Sequence, residues 1–177
     1  MSNNLKIAAI VEARMTSSRL PGKHLYLVNE EPIICHLINR LKSISMIDEV
    51  ILAITNNEAD DVLEEIAINE GIKFYRGSED DVLKRVLEAA QEFNIDVICE
   101  VTGDCPIIDP MLIEQAIENF IYNDCTYLNN GRNGLPDGMG CQVFYTKILK
   151  DSDVKTSDPL DREHVTLHIK KNPKIYP

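Results

Sequence analysis

Basic residues are scarce in this chain: 18 Lys and Arg stand against 29 Asp and Glu over 177 residues, a formal net charge of -11 and a pI near 4.8. That balance argues against a general binder of nucleic acid or anionic membrane, because phosphate backbones and anionic lipids are held by a surplus of cations. No run approaches the roughly 20 apolar residues of a membrane span. No Cys-x-x-Cys pair occurs among the five cysteines, and no His stands beside them at zinc spacing, so free thiols in a reducing cytosol are expected. Neither GxxxxGK[ST] nor GxGxxG is present, which removes the usual warrant for a P-loop ATPase or a dinucleotide enzyme. The polar stretch Met1–Lys6 leads straight into an apolar run, so no signal peptide is expected and the reading is cytoplasmic.

What is present alternates between two patterns. Ile7–Val11, Val50–Ile54 and Val97–Cys99 are short, rich in β-branched residues and without polar alternation, as strands buried on both faces are. Between them, apolar pairs recur four residues apart: Ile33/Ile34 with Leu37/Ile38, Val62/Leu63 with Ile66/Ala67, Val82/Leu83 with Val86/Leu87, and Leu112/Ile113 with Ala116/Ile117. Each series lays a stripe along one face of a helix. Asp60 and Asp80 are placed to cap the second and third helices, and Gly71 to close the second. Strand alternating with helix predicts an α/β fold with a mostly parallel sheet, in one domain over 1–177. After about residue 125, Asn129 through Gly140 is dense in turn formers, Cys141–Tyr145 reads as a strand, and Asp161–Lys171 as a last helix.

Chemistry concentrates after the first strand. Glu12-Ala13-Arg14-Met15-Thr16-Ser17-Ser18-Arg19-Leu20-Pro21-Gly22-Lys23 gathers three cations and three hydroxyls in an otherwise acidic chain. Ligands of open α/β sheets sit beyond the carboxyl ends of the strands, where this loop lies. Arg grips phosphate bidentately and Lys supplies a mobile point charge, so a polyphosphate is the ligand expected. A solvated charged loop is the other reading of the same composition.

Ala13-Arg14-x-x-Ser17-Ser18-Arg19-Leu20-Pro21-Gly22-Lys23 resembles the signature of the sugar-acid cytidylyltransferases. Arg76–Arg85, Val101–Pro110, Leu135-Pro136-Asp137-Gly138 and Arg162–Thr166 look especially like their spore-coat polysaccharide branch, in the same order. The resemblance implies a Rossmann-like, GT-A-like three-layer sandwich that uses CTP and Mg²⁺ and releases pyrophosphate. It implies that Arg14 and Lys23 hold the triphosphate, with Ala13, Ser17 and Arg19 nearby. Asp104 would bind magnesium; Arg76, Ser78 and Asp80 would line the nucleoside side. Asp137, Arg162 and His164 would face the acceptor, a sugar acid or polyol phosphate, and a homodimer is possible within the family. Two departures stand out. Gly140 and Gln142 occupy positions where the family commonly has acids, and relatives usually continue past Pro177, so a C-terminal portion is expected to be missing. Those departures leave open a nucleotide-binding module without turnover. A glycosyltransferase is a further alternative, although Asp151-Ser152-Asp153, which has Asp-x-Asp spacing, reads as a surface turn. His24, His36 and Cys105 are given no chemical role.

Overall fold

The computed structural model describes residues 5–123, 125–131 and 134–177. Strand β1 (Ile7–Glu12) pairs in parallel with β4 (Glu49–Thr55) on one side and β6 (Val97–Thr102) on the other. β5 (Lys73–Gly77) extends the sheet beyond β4, and the antiparallel strands β8 (Gln142–Tyr145) and β7 (Tyr127–Asn129) extend it beyond β6. The order β5-β4-β1-β6-β8-β7 changes direction between β1 and β6, which opens a crevice at their carboxyl ends. β2 (Leu27–Val28) and β3 (Glu31–Pro32) form a small separate hairpin.

Alternate residues of each central strand serve opposite layers. Ala9, Val11, Leu52, Ile54, Cys99 and Val101 pack under α1 (Ile33–Lys42), α2 (Asp61–Asn69) and α4 (Pro110–Tyr122). Ala8, Ile10, Ile51, Ala53 and Ile98 pack under α3 (Val82–Glu92), α5 (Thr146–Lys155) and α7 (Leu167–Lys171). The result is the expected three-layer sandwich with a mostly parallel sheet. Gly71, at φ +66°, ends α2 in the left-handed conformation that a side chain disfavours.

Several elements differ from the sequence reading. The third helix is capped by Asp81, whose carboxylate accepts from Lys84 N at 3.0 Å, rather than by Asp80. Asp60 precedes α2 but turns its side chain elsewhere. The expected helix over 161–171 is two short helices, α6 (Pro159–Glu163) and α7, broken at His164–Thr166. The break buries Val165 and lets the Thr166 hydroxyl reach Gln142 on β8. Asp151-Ser152-Asp153 lies inside α5 with Ser152 fully buried, so it is not a surface turn. Of the turn-rich stretch, Arg132 and Asn133 lie outside the described residues. Its two ends close on each other so tightly that a Cβ on Gly140 would fall 2.5 Å from Gly131 Cα, which explains the glycine at 140.

Candidate active site

The loop after β1 is fastened along its length. Ala13 N donates to Ala53 O at 3.3 Å, continuing the β1–β4 pairing by one residue, and Gly22 N closes the loop onto Met15 O at 3.0 Å. Gly22 turns at φ +69° into a 3₁₀ turn over Lys23–Leu25. The main anchor is Asp60, which is fully buried. Its Oδ1 accepts from Met15 N at 2.7 Å, and its Oδ2 accepts from Thr55 N at 2.8 Å and Thr55 Oγ1 at 2.6 Å. One carboxylate thus ties the loop to the end of β4.

The loop cations are paired but lightly. Lys23 Nζ lies 2.6 Å from Asp104 Oδ2, with the Asp104 side chain 46% exposed. Arg14 reaches Glu79 Oε1 at 3.3 Å, Thr16 donates to the same oxygen, and Asn57 Nδ2 donates to Oε2 at 2.6 Å. The Thr16 and Asn57 bonds, with Arg14 beside them, hold the Glu79 carboxyl below its usual range. Pairs as exposed as these contribute about 1 kcal/mol or less, so an incoming polyphosphate exchanges partners with them at little cost.

Arg14, Lys23 and Asp104 line a cleft of about 410 Å³ at the β1–β6 crevice, with Glu79 just outside it. Of the residues singled out from sequence, Ala13, Arg14, Ser17, Arg19, Lys23, Asp104 and His164 line it. Arg76, Ser78, Asp80 and Arg162 are not among its lining residues. The Arg76 guanidinium is taken up by Asp61 at 2.7 Å, Glu64 at 2.8 Å and the carbonyls of Thr55 and Asn57, and so braces β5 against α2. Ser78 Oγ accepts from Asp81 N at 3.1 Å, while Asp80 is exposed on the same turn. Arg162 clamps Asp81 and Asp153, joining α6, α3 and α5. Asp137 lines a second, smaller pocket of about 190 Å³ between the ends of β6 and β8, where Glu100 and Gln142 also lie.

Three residues of the cleft floor were not singled out. His24 is buried, with Nε2 4.0 Å from Asp104 Oδ1, and burial lowers its pKa, which favours a neutral ring. Arg85 is buried and donates to the carbonyls of Ser78 and Glu79, holding the turn that presents Glu79. Glu12 ends β1; burial and the nearby Glu100 push its pKa well up. Glu100 was legible as an acid inside the apolar run Val97–Val101, and Glu12 as an acid closing Ile7–Val11. His24 and Arg85 carried no such signal.

The donor set suits magnesium. Mg²⁺ is commonly held by one or two carboxylates together with substrate phosphates, and Asp104 offers a hard oxygen beside the loop cations. Among the described residues, the cluster with three donors in mutual reach is Glu31, Cys35 and Glu70, none of which lines the cleft. A cation at Asp104 would therefore depend on the substrate to complete its ligands.

Comparison with known proteins decides the family: the sequence profile of the cytidylyltransferases matches residues 8–177. The chain belongs to the cytidylyltransferase family. It is 33% identical to the spore coat polysaccharide biosynthesis protein SpsF of Bacillus subtilis, over 96% of this chain and 72% of that one. It is also 33% identical to a 3-deoxy-manno-octulosonate cytidylyltransferase of Pelobacter propionicus, over 64% of this chain and 44% of that protein. A solved cytidylyltransferase from Leptospira borgpetersenii superposes with a TM-score of 0.93 at 32% identity, covering 97% of this chain and 74% of its own.

Proposed function

We propose that the chain transfers CMP from CTP to a sugar acid or related polyol phosphate, releasing pyrophosphate, in the synthesis of a surface polysaccharide. The observation that carries this reading is the cleft itself: Arg14, Arg19 and Lys23 face Asp104 across the β1–β6 crevice, in a chain whose family is cytidylyltransferase. The similarity to SpsF supports the polysaccharide setting.

In this reading an oxygen of the acceptor attacks the α-phosphorus in line and the bond to pyrophosphate breaks. Lys23 and Arg14 leave Asp104 and Glu79 to hold the triphosphate, and remain on the leaving pyrophosphate as its charge grows. Asp104 would hold magnesium, which would supply further charge neutralisation to the phosphates. Asp60 keeps the loop in place as these partners change. Asp137 and His164 stand on the acceptor side, and Arg76, Ser78 and Asp80 act through the turn that bounds the nucleoside end. Pyrophosphate release with each of the four nucleoside triphosphates and a panel of sugar acids tests the assignment. Release with CTP and a sugar acid is expected; equal or greater release with ATP or GTP overturns the cytidine preference. CTP binding without release under any acceptor identifies a binding module instead.

A further inference from the structure

The two cavities at the sheet edge share Thr102 and differ in charge. Arg14, Arg19, Lys23 and Arg85 line the larger one, whereas the smaller has the acids Glu100 and Asp137 and, among the described residues, no Lys, Arg or His. Its volume of about 190 Å³ is roughly that of six water molecules in the liquid, enough for part of a monosaccharide chain rather than a nucleotide.

Its floor is built around the Glu100 carboxylate, which is only 5% exposed. Gln142 Nε2 donates to Glu100 Oε2 at 2.6 Å. The orientation of that amide is fixed, because its oxygen accepts from Tyr127 OH at 2.6 Å and from Thr166 Oγ1. From the cleft side, Glu12 hydrogen-bonds the same carboxylate. Two buried carboxyl groups in contact disfavour double ionisation, and of the pair Glu12 holds its proton the more firmly. Burial raises the pKa of both, that of Glu12 well up and further through the Glu100 charge, while Glu12, Lys170, Gln142 and His164 offset part of the rise at Glu100. The second Glu12 oxygen is buried without a hydrogen-bond partner, and burial outweighs the nearby Arg85 charge, which favours the ionised form. The wall between the cavities is thus a pair of acids, Glu12 facing the cleft and Glu100, oriented by Gln142, facing the pocket.

We infer that the smaller pocket is a specificity site for the acceptor: Glu100, held by Gln142, accepts hydrogen bonds from a hydroxyl- or amine-bearing part of it and rejects an acidic part. The inference rests on the transferase reading and deepens it. An acceptor carrying one acid group keeps that group toward the cations of the cleft and places its polyol or amino end on Glu100. Gln142 enforces this polarity, since a carboxylate at 142 could not donate to Glu100, and Gly140 keeps a second acid away from the rim. A buried acceptor of hydrogen bonds discriminates strongly against a ligand that cannot donate to it, and more so against a like charge.

The test uses three probes of one carbon skeleton: gluconate, with an acid at one end; glucarate, with an acid at both; and 6-amino-6-deoxygluconate, with an amine at the far end. Binding to the protein with CTP and magnesium is measured by saturation-transfer NMR, and the CTP-induced melting shift is recorded on the same sample. The amino acid and gluconate are expected to bind at least about tenfold more tightly than glucarate, which cannot avoid placing an acid on Glu100. In Glu100→Gln that discrimination should collapse, and in Gln142→Glu it should widen in favour of the amine. Glucarate binding as well as gluconate, binding of none of the three, or an order unchanged in both variants overturns the inference. If Glu100→Gln does not fold, the wild-type order and Gln142→Glu decide. Absence of a CTP shift counts against the transferase reading alone, because the sugar order is read independently of it.

Discussion

The cleft and the pocket beside it are built on opposite electrostatic plans. In the cleft, charges come as exposed pairs, Lys23 with Asp104 and Arg14 with Glu79, each open to exchange. In the pocket wall, Gln142 donates to Glu100 and accepts from Tyr127 and Thr166, a chain whose donors and acceptors are already assigned. The first arrangement suits a ligand that brings its own high charge and replaces the internal partners. The second suits a ligand that must be read by direction, one hydrogen bond at a time, because a fixed buried network does not rearrange for the wrong one.

The comparison is broken most severely at Asp104. Asp104→Asn keeps the shape but loses the charge on which a hard divalent cation depends, and turnover should fall by at least roughly a hundredfold while CTP binding is partly retained. Rates and CTP affinity measured on one preparation check this; a parent-like rate removes Asp104 from the site. Lys23→Ala should cost roughly 3 kcal/mol of transition-state stabilisation with little change in melting temperature, because the pair it leaves is partly exposed. A drop in stability without a drop in rate per folded molecule would make Lys23 a structural residue instead. Asp60→Ala should destabilise the protein by about 2 to 3 kcal/mol, since Met15 N and both Thr55 donors lose their acceptor. Chemical denaturation gives that number, and hydrogen exchange should show Met15 opening first.

The smallest effect sharpens the contrast. Glu12 binds its proton more tightly in the folded state than in the unfolded one, so the folded state carries more protons as pH rises above the ordinary glutamate range. Its contribution is complete below that range and is lost as pH climbs toward the raised folded value. Glu12→Gln, which mimics the neutral acid and can still donate to Glu100, should flatten this decline by about 1 kcal/mol. Denaturation at pH 5 and pH 8 measures it; identical pH slopes in parent and variant would show that Glu12 is ionised in both states.

The layers and the mostly parallel sheet were legible because the buried strands are continuous apolar runs and the helices carry stripes. β5 was missed because an edge strand reading Lys-Phe-Tyr-Arg-Gly has no such run, and α5 because little besides Leu149 marks its inner face. In the site, the loop cations followed from the sequence pattern, since a charged loop after a buried strand has one place to go, whereas Asp104 was named only through the resemblance to the family. The destinations of Arg76 and Arg162 did not. Both stand within motifs of the family, yet each is drawn to carboxylates that only the packing of neighbouring helices brings close. Asp60 was placed as a helix cap because its partner Met15, 45 residues away, is invisible to local reasoning.

The reversal of β8 has an evolutionary consequence. Parallel strands deliver the loops that leave them to the working edge of the sheet, whereas β8, running the other way, delivers the segment that enters it. That segment joins two antiparallel neighbours, which need no crossover helix between them, so its length can change between the tightly apposed Gly131 and Gly140 without altering the handedness of the parallel half. In the proposed reading, the nucleotide side is held by the parallel half of the sheet, and the segment entering β8 is the exchangeable part through which the choice of acceptor can change.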